Sequence, residues 1–401
     1  MANRMLWRIA VAEFLGMTLW FSATAAAPAI AGDFALTSGG TAWLTMAVQA
    51  GFVAGTLASA MLNLADVLNA RRLFAAGCAA GALANAAIAF APSIGTIVAL
   101  RFLTGLALAC VYPPGMKIAA GWFLERRGWA LGVVVGSLTI GSAFPHLLGW
   151  AAPDLPWRTL LGISSALALV GGVVAIAAIG DGPHVMASAP FDPHAVRRVL
   201  RSRGVRLATL GYLGHMWELY AMWAWIGVYA AHSLRSAGAG ADGTASLLAF
   251  VAIASGAAGC VLAGRWADRW GKARVARGAM LTSGACAMTA GLVYGQPIPW
   301  LAALVIVWGF SVVADSAQFS ALVSEHSGRT LVGTALTLQT SVGFLLTTIS
   351  MRLVPAVAES IGWQWAFLLL VPGPLLGAFA MTALQKGGWH VSRGHFFTPG
   401  P

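Results

Sequence analysis

Charge is what this chain has least of. Only 9% of its 401 residues are Asp, Glu, Lys or Arg, where soluble domains carry about a quarter. Acids are scarcer than bases, 13 against 24. A soluble protein of this length needs far more polar surface, so a soluble globular domain is excluded. Cysteine is sparse as well. Cys78, Cys110, Cys260 and Cys286 each sit inside an apolar run without CxxC spacing. That excludes a disulfide framework and a thiolate metal centre, and leaves small core residues. Nucleophile–base pairs, clustered metal ligands and phosphate loops are also missing. An enzyme is therefore the least favoured reading, and no cofactor or metal is expected.

Apolar sequence is what the chain has in abundance: 59% of residues are hydrophobic and the mean hydropathy is +0.78. About 20 such residues cross a bilayer as a helix. Candidate spans fall at 6–31, 41–63, 73–92, 94–114, 130–151 and 157–179, then at 207–231, 245–264, 275–295, 299–321, 331–351 and 363–384. The expected fold class is an all-α membrane protein with twelve transmembrane helices in two pseudo-symmetric six-helix bundles. Residues 1–180 form the first bundle, 181–206 a cytoplasmic linker, and 207–401 the second bundle with a short tail. With the N-terminus inside, 20 of the 24 Lys and Arg residues fall in cytoplasmic segments. Only Arg158, Arg235 and Arg352 face the other side, and Arg101 lies within a span. Cytoplasmic loops retain Lys and Arg, so both termini are placed inside. The net charge of +11 is thus a topology signal, and nucleic acid is not an expected partner. Reading the first span as a cleaved signal peptide would reverse this ledger.

The densest knot of charge is Gly264-Arg-Trp-Ala-Asp-Arg-Trp-Gly-Lys-Ala-Arg274, between two apolar runs. A weaker echo, Leu64-Ala-Asp-Val-Leu-Asn-Ala-Arg-Arg72, lies 202 residues upstream. Further echoes pair Pro156-Trp-Arg with Gly362-Trp-Gln, and Glu125-Arg-Arg-Gly with Glu325-His-Ser-Gly-Arg. Such repetition is the mark of duplicated halves. Gly264, Asp268, Arg269, Gly271, Lys272 and Arg274 match every position of the loop signature Gly-x-x-x-Asp-Arg/Lys-x-Gly-Arg/Lys-x-Arg/Lys. On these residues the chain resembles the major facilitator superfamily. The first copy is degenerate: Asp66 and Arg71 are in place, but Leu62, Val67, Asn69 and Ala70 are substitutions. Arg101 and Gly105 also resemble the family's Arg-x-x-x-Gly pattern in span four. The stretch from Tyr112 to Gly132 is reminiscent of bacterial anion-porter branches, although span five lacks the motifs of nitrate porters and of drug antiporters. The resemblance implies a secondary transporter whose spans one, four, seven and ten line a central cavity. It also implies a cytoplasmic latch that includes Asp268, Arg269, Arg274 and Asp66.

Charged side chains within the bilayer are costly and mark function. Here they are Glu13, Arg101, Glu218 and Asp315, on spans one, four, seven and ten. In span seven, Gly211, His215, Glu218, Met222, Trp225 and Tyr229 share a helical face. His215 and Glu218, three residues apart, are expected to share a proton; a plain structural hydrogen bond is the competing reading. Glu13, Met17 and Trp20 repeat the spacing of Glu218, Met222 and Trp225. Glu13 therefore joins Glu218 and His215 as a candidate for proton coupling. Arg101 is either a substrate-anion anchor or a permanent partner of helix carbonyls. Trp20, Trp225, Tyr229 and His215 are candidate substrate contacts, and Asp315 a gate. His146, Thr337, Gln339 and Ser341 are polar cavity candidates, read more simply as interhelical hydrogen bonds.

The expected activity is proton-coupled transport of a small organic anion by alternating access. The alternatives are proton-driven export of amphiphilic drugs and a transport-inactive membrane sensor. The expected setting is the bacterial inner membrane, with lipid, protons and a small solute as partners and a monomer as the working unit.

Overall fold

The computed structural model describes residues 1–62, 64–123, 126–184, 192–240, 243–328 and 331–388, without the side chains of Ser38, Ala65, Asp66, Arg127 and Pro193. Every regular element among them is helical. Among the described residues nine helices are long and apolar enough to cross a membrane: 39–61, 70–90, 94–122, 128–151, 157–177, 244–270, 298–327, 332–361 and 366–386. Leu83, Phe90, Val173, Leu345 and Phe379 are among the large apolar side chains that these helices expose, the pattern of a surface solvated by lipid. The protein is an integral membrane protein.

Three further helical stretches run alongside the nine, and local chemistry sets each apart. The first is interrupted: Ala2–Met17 ends in a turn, then Ser22–Ala25 and Ala27–Phe34 continue. At the turn, the Thr18 hydroxyl bonds the Leu15 and Ser164 carbonyls. Arg203–Ser236 is 34 residues long and carries Arg203, Arg206, His215 and Glu218. Lys272–Val293 begins with Lys272, Arg274 and Arg277. Two of the nine spans also break. Ile94–Leu108 gives way to Tyr112–Trp122, whose first turn holds Pro113 and Pro114. These prolines supply no N–H and suit a helix start. Ile298–Ala314 stops at Asp315, and Ser316–Ser327 follows.

Helices before residue 178 pack mainly on one another, as do those after 203. Glycine sets the closest crossings. A Cβ at Gly105 would lie 1.8 Å from the Val48 carbonyl oxygen, and one at Gly309 would lie 1.6 Å from that of Ala252. Backbones approach this closely only where small residues permit, which is the main packing device within a bilayer.

Two antiparallel helix pairs join the first set to the second. Along Arg127–Ala151 and Thr244–Trp270, Gly128 faces Gly264, Gly132 faces Cys260, Gly136 faces Ala257 and Gly149 faces Ser246. Along Ser38–Met61 and Val332–Ile361, the Phe52 and Phe344 rings meet at 4.8 Å. One turn from each, the Thr347 hydroxyl donates to the Gln49 side-chain carbonyl.

Candidate functional site

The seam between the two sets is aromatic. Trp20 lies in the turn after Ala2–Met17 and meets Phe52 at 5.0 Å, Tyr220 at 5.8 Å and Phe344 at 6.0 Å. Tyr220 touches Phe344 at 5.1 Å and Trp223 at 5.5 Å, and Trp223 returns to Phe21 at 5.9 Å. Residues from both sets thus interleave in one patch. Its polar atoms are unusual. The indole N–H groups of Trp20 and Trp223 and the side-chain amide nitrogen of Gln49 are buried without a hydrogen-bond partner among the described residues. A buried donor without an acceptor costs about 1–3 kcal/mol. Three such donors lie in one neighbourhood. Ser142, His146, Gln339 and Ser341 hold unpaired buried polar atoms too, on Arg127–Ala151 and Val332–Ile361, one helix from each seam pair.

The carboxyl groups lie off this seam, inside each set. Glu218 is buried, with the Ser283 hydroxyl donating to Oε2 at 2.8 Å and the Trp308 indole to Oε1 at 2.7 Å. The expected His215–Glu218 pair does not form. His215 turns to Asp315, Nδ1 to Oδ1 2.7 Å, with both side chains buried. Three residues on a helix bring two side chains onto one face, but a packed helix offers each of them other neighbours. Here the break at Asp315 presents its carboxyl to the imidazole. Asp315 is accordingly an interior residue bonded to His215. Glu13 is fully buried and neither carboxyl oxygen has a hydrogen-bond partner among the described residues. Its Oε2 lies over Gly115, where a Cβ would come within 2.2 Å.

Arg101 is fully buried, and its donors go to main-chain carbonyls: Nε to Leu44 at 2.9 Å, Nη1 to Leu19 at 3.0 Å and Nη2 to Trp20 at 2.5 Å. Leu19 and Trp20 are the residues at which the first helix is interrupted, so their carbonyls lack helical partners. The guanidinium fork takes that role. Asn85 lies 3.5 Å from Nη1, accepts from Ser22 at 2.7 Å and donates to Ser165 at 3.0 Å. In this geometry Arg101 fastens the break, which is the carbonyl-partner alternative to an anion anchor.

Trp225 and Tyr229 also face inward within the second set. The Trp225 indole donates to the Met351 carbonyl at 2.9 Å, and the Tyr229 hydroxyl to the Ala290 carbonyl at 2.5 Å. The seam instead takes Tyr220 and Trp223, from the other face of the same helix.

At the charged loop, Gly271 has φ +86°, a left-handed conformation that glycine adopts without steric cost. It ends one helix and begins the next. Lys272 bonds Glu325 at 2.6 Å. Asp268, Arg269 and Arg274 are exposed and have no ion-pair partner among the described residues. Gly264 packs against Gly128. In the degenerate copy, Asn69 caps the Ala70–Ala87 helix, and Arg71 grips Asp181. The side chain of Asp66 lies outside the described residues.

A family model described as Major Facilitator Superfamily matches residues 9–314 and again 219–387. The chain belongs to the major facilitator superfamily. Members are membrane transporters, not enzymes. Among its relatives is the hexuronate transporter of Escherichia coli (strain K12), 24% identical over 358 residues, covering 80% of each chain. The 3-(3-hydroxy-phenyl)propionate transporter of the same strain is 29% identical over 146 residues, 36% of each chain. Among solved structures, the nucleoside transporter NupG superposes with a TM-score of 0.71 at 14% identity, covering 95% of this chain and 99% of that one. The human organic anion transporter MFSD10 gives a TM-score of 0.66 at 13% identity, with the same coverage. These two likenesses establish the superfamily fold.

Of the residues expected to bind cargo, Trp20 alone stands in the aromatic seam. Sequence reading missed Gln49, Phe52, Tyr220, Trp223, Phe344 and Thr347, together with the donors Ser283 and Trp308 around Glu218. Phe52, Tyr220, Trp223 and Phe344 had no signal that separates them from ordinary apolar packing. Gln49 did: a lone amide in an apolar run is a polar residue at membrane depth.

Proposed function

We propose that this superfamily member is a secondary transporter that moves a small organic anion by alternating access, coupled to protons. The observation that carries the reading is the trio of unpaired donors at Trp20, Trp223 and Gln49, set in an aromatic patch shared by both helix sets. Neutral N–H groups suit the oxygens of a carboxylate or a polyhydroxylated acid, and the rings suit its less polar faces. Relatives named for hexuronate and hydroxyphenylpropionate agree with such a cargo.

In this proposal the three further helical stretches cross the membrane with the nine, making two groups of six around the linker. Both termini lie in the cytoplasm, as the Lys and Arg ledger requires, and the host membrane is the bacterial inner membrane. The two antiparallel pairs are the surfaces across which the groups rock. Glu218, held by Ser283 and Trp308, carries the coupling proton, and the His215–Asp315 pair relays it from the same helix set. The Gly264–Arg274 loop latches one closed state through Lys272 and Glu325, with Asp268, Arg269 and Arg274 free to engage other partners as the groups move.

A second reading, export of amphiphiles, draws on the same aromatic patch and on a 28% identical stretch of 180 residues in the multidrug efflux pump LfrA of Mycolicibacterium smegmatis. Proteoliposomes discriminate. With the cargo side acidified, galacturonate or 3-(3-hydroxyphenyl)propionate should accumulate in wild-type vesicles. Glu218→Gln should abolish accumulation and preserve exchange. If neutral amphiphiles move and carboxylates do not, the anion reading fails and the export reading takes its place.

A further inference from the structure

Glu218 has a counterpart. Glu13 lies 205 residues before it, and the same interval separates Cys78 from Ser283 and Cys110 from Asp315. The structure gives these matches spatial meaning. Glu218 takes the Ser283 hydroxyl from the Lys272–Val293 helix. Cys78, on the Ala70–Ala87 helix, lies against Gly16 and within electrostatic reach of Glu13. Asp315 marks the break in one helix, and Cys110 lies in the corresponding break between Ile94–Leu108 and Tyr112–Trp122. Each set therefore places one buried glutamate on its first helix, opposite a hydroxyl or thiol on its third and beside a broken fourth.

The two sites differ in what they offer the carboxyl group. Among the described residues Glu218 has two donors, whereas Glu13 has none. A thiol is a weak donor, and the other surroundings of Glu13 include Phe74, Gly115 and Tyr112. His146 and Arg158, on the two long helices beside Glu13, make no hydrogen bond to it. A carboxylate left without donors in a membrane interior is among the costliest of buried groups. The neutral acid is the form that fits. A single carboxyl group from the protein is too few for a metal cation, which takes six or more oxygen ligands when it is calcium or magnesium.

We infer that Glu13 is a second proton-binding carboxyl group, the N-terminal counterpart of Glu218, so that one transport cycle carries two protons. This rests on the proton-coupled reading above. Glu13 holds its proton while the helices enclose it, and releases it when their separation admits water.

The test has two arms. In proteoliposomes, protons and galacturonate moved per cycle are measured together with a pH-sensitive dye and labelled substrate. Wild type should give two protons per substrate and Glu13→Gln one, with uptake still driven by the gradient. In detergent, a hydrophobic carbodiimide reacts with buried protonated carboxyl groups, and mass spectrometry reads the adduct on Glu13 between pH 5 and 9. The adduct should form at the acid end and fade as pH rises. Cys78→Ser should move its midpoint down by about one pH unit, because a hydroxyl stabilises the ionised form. Should Glu13→Gln fail to fold, Gly115→Ala displaces the carboxyl group and should suppress the adduct. An unchanged ratio in Glu13→Gln with a coupled wild type overturns this inference alone, as does absence of the adduct at every pH. A wild type that moves no protons overturns the coupled reading and this inference together.

Discussion

Asp181 grips Arg71 with both carboxylate oxygens, Nε to Oδ1 at 2.9 Å and Nη2 to Oδ2 at 2.8 Å. The Arg71 hydrogen bond, with a second from Asn69, holds the Asp181 carboxyl below the usual carboxylate range. A group whose folded pKa is depressed stabilises the fold fully above its unfolded value, about 3.9, and loses that contribution as pH falls through the folded value. Asp181→Asn should therefore lower the thermal midpoint at pH 7, with the gap to wild type closing below about pH 4. The Asp181 side chain is 52% exposed, so screening limits the effect to about 1 kcal/mol or less. A gap that is constant from pH 7 to pH 3 would contradict this assignment.

Arg101→Ala removes the donors from three buried carbonyls. The Leu19 carbonyl keeps the Ser22 hydroxyl, but at about 1–3 kcal/mol for a group left unsatisfied the variant should unfold at a markedly lower temperature or be recovered in poor yield. Arg101→Lys has one nitrogen where three were used and should fall between. In both, transport of anionic and neutral cargo should decline in parallel. Selective loss of anions at unchanged stability would restore the anchor role.

Trp223 and Trp225 sit two residues apart and should part company in a binding assay. Trp223→Phe keeps a ring and removes the unpaired N–H. It should weaken galacturonate binding about tenfold, the loss of roughly 1.4 kcal/mol. Trp225→Phe removes the bond to Met351 and should leave affinity within about twofold while costing about 1 kcal/mol of stability. Equal effects on affinity would remove the distinction between the seam face and the inner face of this helix.

Gly51 meets the Phe102 backbone so closely that a Cβ would lie 1.9 Å from its carbonyl oxygen. Gly51→Val must push Ser38–Met61 away from Ile94–Leu108. Overpacking of this kind costs about 1–3 kcal/mol or more, and size-exclusion profiles in detergent should show aggregated protein. A monodisperse, fully active Gly51→Val would show that the crossing is looser than drawn here.

The helical character of the chain, its lipid-facing surface and its superfamily were legible in the sequence, because hydropathy and the Gly264–Arg274 loop are local signals. Helix breaks were harder. Nothing around Leu19 and Trp20 announces an interruption, since the group that satisfies their carbonyls, Arg101, is 81 residues or more away. The buried acids were found because charge in an apolar run is conspicuous. Their partners were not, because Ser283, Trp308 and Asp315 reach Glu218 and His215 from other helices. Periodicity along Arg203–Ser236 marked a different face from the one at the seam, for a related reason. Its residues from Tyr212 to Leu234 are mostly buried on all sides, so the polar face marks the interior of one helix set and says little about the seam.

The donors at the seam are dipoles, and that alters how an anion would leave. A fixed guanidinium or ammonium holds its counter-ion by a charge that salt screens and that the departing solute must overcome. Indole and amide groups impose no such field. Galacturonate binding should accordingly be almost indifferent to ionic strength between 0.05 and 0.5 M, in contrast to a cation-anchored site. Cargo held in this way is discriminated by shape and acceptor placement, with affinity modest enough to permit rapid unloading on the far side.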